Sequence, residues 1–259
     1  MKKLIIFLLL FTTAIFISNT MYVDRGYAEV DRSSEVDEYI TMLKSDNMEQ
    51  RINAAKRITR SGLTDSKLFD LIRDNLLNGY QSHTDNPKHN DEMAWLCKAL
   101  ASSGNQEYKE VLKRVADSTK DEKLARYARQ SMEQIDEYAE RNKIISDTKN
   151  VVPGQSPEVT KLINMLKSDN IALKKDAAKE IYRAHFTEHN LFEVVNEELL
   201  KGYQLNASDK NHVDAMAWLC KALGASGMQE YKATLDNITN TSSSETLRKY
   251  AKQALDMIK

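Results

Sequence analysis

Apolar residues recur along this chain at intervals of three and four. Val36, Tyr39, Ile40 and Leu43 fall at i, i+3, i+4 and i+7, with polar residues between them. That spacing predicts a helix buried along one stripe. Val159, Leu162, Ile163 and Leu166 repeat it behind Ser156 and Pro157, a serine cap with proline at the first helical position. Ser33 takes the cap position in the earlier stretch. Ser45, Asp46 and Asn47 end that helix and cap the next, which carries Ala54, Ala55 and Ile58, matched by Ala177, Ala178 and Ile181. A second pair starts near Thr64 and again near Thr187. Leu68, Phe69, Leu76 and Leu77 align with Leu191, Phe192, Leu199 and Leu200, and Gly79 and Gly202 stand where C-cap glycines belong. A polar loop from Ser82 to Asn90 leads to a helix from Met93 to Leu100, closed by Ser103 and Gly104. A third pair runs from Gln106 to about Val115 and from Asp121 to Ile135.

The second half restates the first at a fixed offset of 123 residues. Met93 to Leu100 returns unchanged as Met216 to Leu223, and Gln106 to Lys109 as Gln229 to Lys232. Glycine (8) and proline (3) are scarce, which suits helices and leaves little turn chemistry for a sheet. The expectation is an all-α solenoid of about six helix pairs, arranged as two tandem three-pair blocks at 29–145 and 157–259. Residues 146–156 join them, and Tyr138 to Ile145 can prolong the preceding helix. A pair of roughly 40 residues is the HEAT and armadillo period.

Asn47 and Arg51 followed by Ala54, Ala55 and Ile58 resemble the HEAT pattern, an Asp or Asn cap before an Arg and an alanine-rich helix. Asn170, Lys174, Ala177, Ala178 and Ile181 keep it with Lys for Arg. Asp121, Leu124, Arg126 and Ala128 are a looser match. The resemblance implies a curved stack of helices offering an extended surface, and it implies no particular ligand. HEAT-like repeats also occur in proteins resembling phycobilin lyases, which offers an alternative function.

Charge narrows the partners. The formal net charge is -1. Lys2, Lys3, Arg25 and Asp24 are the charged residues of 1–28, so the remainder holds 34 basic and 37 acidic residues, net -3. That balance speaks against a nucleic-acid partner. Lys2 and Lys3 precede an apolar run, Leu4 to Ile17, shorter than a membrane span. Residues 1–28 therefore read as a signal peptide, with an uncleaved anchor at 4–17 as the alternative. A periplasmic or extracellular bacterial location follows from either. Cys97 and Cys220 hold one position in the two copies, each among apolar neighbours, and read as separate buried thiols.

Candidate chemistry is sparse. His89 with Asp91 and His212 with Asp214 precede the tryptophan helix in both copies. They read first as a helix cap with a packed histidine, and second as a metal-binding pair. Trp95, Trp218, Tyr108, Tyr231, Tyr127 and Tyr250 sit on apolar stripes and read as core. Lys98 and Lys221 interrupt the stripe as a solvated face or ion pair. Tyr80 and Tyr203, with His83, are candidate partner contacts. No catalytic motif and no cofactor signature appears. The expected function is a non-enzymatic exported scaffold that binds a protein or peptide.

Overall fold

The computed structural model describes residues 31–82 and 86–258. The signal-peptide and anchor readings and His83 lie outside them. No strand occurs among the described residues, and no helix there is long and apolar enough to cross a membrane. The helices are α1 (Ser33–Leu43), α2 (Met48–Ser61), α3 (Ser66–Gly79), α4 (Pro87–Ala101), α5 (Lys109–Ser118), α6 (Glu122–Glu133) and α7 (Ile135–Ile145). The second block follows as α8 (Pro157–Lys167), α9 (Ile171–Ala184), α10 (His189–Gly202), α11 (Lys210–Ser226), α12 (Lys232–Thr241) and α13 (Glu245–Met257). A 3-10 turn precedes α5 at Gln106–Tyr108 and α12 at Gln229–Tyr231.

Consecutive helices pair: α1 on α2, α3 on α4, α5 on α6, and likewise in the second block. The second helices of the pairs, α2, α4 and α6, pack on one another far more closely than α1, α3 and α5 do. The set α9, α11 and α13 does the same. Ala54, Ala55, Ala177 and Ala178 are fully buried in these layers, where small side chains let helix backbones approach. The chain is an α-solenoid with two cores. One runs from Val36 to Ile135 around Phe69, the other from Ile145 to Ile258 around Phe192. Each pair leaves an apolar face that only its neighbours can cover.

Several boundaries differ from the periodicity. Ser156 caps α8 through Val159 N, but Ser33 is already helical and its neighbour Arg32 makes no side-chain cap. Asp65, not Thr64, caps α3. The tryptophan helices begin well before Met93 and Met216. Asn86 caps α4, with Pro87 at its first position, and Asp209 caps α11. Their first turn is polar, so apolar spacing does not register it. Asp91 and Asp214 are consequently inside helices and cap nothing.

The largest departure is α7. Gln134 breaks the helix after α6, with its N–H turned to the Ser131 carbonyl. α7 then runs back across the C-terminal ends of α4 and α2. Gln106 donates to Asp136, Ala139 packs on Gly104, and Asn142 donates to the Ser102 and Ser103 carbonyls. Ile145 closes on Gly62 at the end of α2. The second block therefore begins beside the first helix pair rather than on top of α6.

Candidate functional site

A ladder of cations and aromatic rings runs across the exposed side of the α2–α4–α6 layer. Trp95 and Lys98 are one turn apart on α4, which puts them on the same face. The Lys98 ammonium lies 4.5 Å from the centre of the Trp95 ring and 4.7 Å from that of Tyr127 on α6. Lys56 from α2 lies 5.3 Å from the centre of the Trp95 ring. The second block repeats the ladder with the same residue types. Lys221 sits 4.0 Å from Trp218 and 4.4 Å from Tyr250, and Lys179 lies 5.3 Å from Trp218. Tyr182, where the first block has Thr59, adds an edge-on ring 5.8 Å from Trp218.

Their spacing reads as core, but the tryptophans are not fully buried. Each is half-buried, packed on its core with one side of the ring open to a lysine. Lys98 and Lys221 are placed by rings, not by a carboxylate. Such contacts are worth ~0.5–1 kcal/mol at exposed sites and more when water is excluded. A partner that covers the ladder would exclude that water.

The histidine pairs do other work. His89 Nε2 lies 3.0 Å from the Gly79 carbonyl and His212 Nε2 lies 2.9 Å from that of Gly202. A carbonyl only accepts, so Nε2 carries the proton. Each histidine thereby ties the open end of α3 or α10 to the following helix. Gly79 and Gly202 are the last helical residues, not left-handed caps. A Cβ there would stand 2.7 Å from Met93 Sδ in one block and 2.5 Å from Met216 Sδ in the other. Asp91 pairs with Lys123 at 3.0 Å and Asp214 with Lys175 at 3.5 Å. Two residues apart on a helix, His and Asp point to different sides and do not converge on one ion. Among the described residues no group of three or more His, Cys, Asp or Glu is arranged to hold a metal.

Tyr80 and Tyr203 are not free contact residues either. Tyr80 is buried, and hydrogen bonding, first with the Ser118 hydroxyl, holds its phenol below the ordinary value. Tyr203 is half-buried; its hydroxyl meets Thr241, Gln204 and Asn237, which hold its phenol below the ordinary value in the same way. Both strap the end of one helix to the next pair. Tyr108 and Tyr231 are buried as their stripes imply. Cys97 and Cys220 are free, fully buried thiols that burial pushes up to about 12.

The ladder had a sequence signal. Lys56, Trp95, Lys98 and Tyr127 all recur 123 residues later, so identity of a surface lysine in both copies was visible.

No family model matches this chain, and no curated protein does. Among solved structures, human deoxyhypusine hydroxylase in complex with glycerol is similar at 14% identity and a TM-score of 0.33, over 86% of this chain and 84% of that one. Two engineered proteins are similar at 15% and 16% identity, with TM-scores of 0.30 and 0.29. The first covers 87% of this chain and 98% of its own, the second 86% and 96%. Likeness at this level carries no inference about chemistry.

Proposed function

We propose that this chain is a non-enzymatic, exported HEAT-like scaffold that binds a protein or peptide along its two cation–aromatic ladders. The observation that carries the reading is the duplication of the ladder at the surface. Stacking requires the buried alanines and leucines, but it does not require Lys98 between two rings, or the same lysine again at 221. Aromatic rings with a polar or charged rim are the groups that dominate protein interfaces. Flanking Lys56, Arg126, Lys179 and Lys249 favour an acidic segment with apolar residues. The buried thiols and Tyr39, whose phenol burial pushes up to about 12, stay protonated and poorly nucleophilic, in keeping with a binding role.

The chain has two tryptophans, one per ladder, so intrinsic fluorescence reports directly on both surfaces. Acidic, apolar-containing peptides are titrated into the mature chain and into the Lys98→Ala/Lys221→Ala variant. Saturable quenching that the double variant abolishes supports the reading. Equal binding by the variant, or a chain that retains only small molecules, overturns it.

A further inference from the structure

A cleft of about 830 Å³ separates the first pair of each block. α1 and α2 form one wall, α8 and α9 the other, and Arg141 of α7 contributes to its lining. Most charges in it are matched. Arg32 pairs with Glu35, Arg57 with Glu38, and Lys161 with Glu180, each at 2.6 Å. Three cations are not held by a carboxylate: Arg60, Arg183 and Lys179. Arg60 and Arg183 occupy the same position in the two copies and both line this one space. Against them stand Asp31, whose oxygen is engaged by the Ser33 N–H, and Glu158.

Arg141 supplies an independent observation. Its Nη1 is 3.6 Å from Asp176, too far for a good hydrogen bond. Its Nε and Nη2 are buried and meet no acceptor among the described residues. Buried guanidinium N–H groups left without acceptors are costly, and the planar fork they form matches a carboxylate or phosphate. Arg60 lines the same cleft as Arg141.

From these contacts we infer that the cleft between the blocks is a binding site for an oxyanion group, held by Arg141 with Arg60 and Arg183. The site is separate from the ladders but adjoins the second one, because Lys179 lines the cleft and also faces Trp218. An acidic partner lying on that ladder could place a carboxylate in the cleft, and a phosphorylated one a phosphate.

Two probes distinguish these sources: inorganic phosphate and a glutamate-rich peptide, each titrated calorimetrically into the mature chain. Arg60→Glu and Arg183→Glu serve as variants, since both side chains are exposed and their loss leaves the folded cores intact. We expect saturable binding of at least one probe at one site, about tenfold weaker or more in either variant. Phosphate binding lost in the variants supports the site with a phosphate ligand; peptide binding lost in them supports it with a carboxylate ligand. Binding of neither probe, or binding that the variants leave unchanged, overturns the inference. Lys98→Ala should leave phosphate binding intact, so failure of the ladder reading and failure of the cleft are told apart.

Discussion

α1 and α8 come from one duplicated segment, yet three residues of α1 are buried and eight of α8 are. The apolar stripe is the same in both. The difference lies in the neighbours. Both helices line the cleft, but the end of α7 and the connector also cover α8 at Thr160 and Asn164, whereas the matching Asp37 and Thr41 of α1 stay exposed. The sequence has followed the burial. Asp37, Glu38 and Thr41 of α1 become Thr160, Lys161 and Asn164 in α8. Each buried polar group there is matched. Asn164 donates to the Ile145 and Asp147 carbonyls and accepts from Asn150, and Lys161 pairs with Glu180. A duplicated unit thus keeps its core and rewrites its surface according to position.

The sharpest way to break this comparison uses one glycine in two settings. Gly104, just past the end of α4, and Gly227, the C-cap of α11, have φ of 69° and 68°. A Cβ on Gly104 would stand 2.6 Å from the Ala139 backbone, because α7 crosses there; on Gly227 it would meet nothing. Both alanine variants carry left-handed strain of ~1–2 kcal/mol. Gly104→Ala must also displace α7, so its total cost should reach about 4 kcal/mol. Urea unfolding of the two variants measures the difference. Equal losses would mean that α7 does not lie across the first block.

A second test concerns charge that has moved between helices. Arg51 pairs with Glu92 on α4 and with the Ser45 carbonyl. Its counterpart Lys174 cannot do so, because position 215 is Ala. Glu198 on α10 takes the role, where the first block has Asn75. Removing either buried carboxylate strands a cation and should cost about 3 kcal/mol. Glu198→Asn together with Ala215→Glu and Lys174→Arg installs the first block's solution in the second. Recovery of most of the loss in thermal melts is expected; no recovery would show that the two pockets are not equivalent.

These pairs also mark the limit of the sequence reading. Helix stripes, paired alanines and the 123-residue echo identify the solenoid because each is local or exactly periodic. Partners 41 and 24 residues apart are neither, although the compensating change at 75/198 and 92/215 is written in the alignment of the two copies. α7 was legible only as helix: Tyr138 to Ile145 read as an extension of α6, and the reversal at Gln134 has no glycine or proline to mark it. The start of α4 was legible after all. Asn86 with Pro87 is the same cap-then-proline signal that located α8, hidden by a first turn without apolar residues.

Where the two blocks agree, equal effects are expected. His89→Ala and His212→Ala each remove the donor to the carbonyl that ends the preceding helix. The loss should be about 1 kcal/mol in either block. Unequal losses would indicate that one histidine has a further role, such as contact with a ligand.

The smallest effect separates capping from surface pairing at the His-x-Asp positions. If Asp91 and Asp214 capped the tryptophan helices, their removal would lower stability by ~1 kcal/mol. The caps are Asn86 and Asp209, whose oxygens accept from Lys88 N and from Asn211 N and His212 N. Asp91 and Asp214, both exposed, instead pair with lysines where solvent screens the charge. Asp209→Ala should therefore lower the unfolding midpoint, while Asp91→Ala should leave it unchanged within error. A lowered midpoint for Asp91→Ala would move the helix start back to where the apolar spacing first put it, and with it the geometry that keeps His89 on the Gly79 carbonyl.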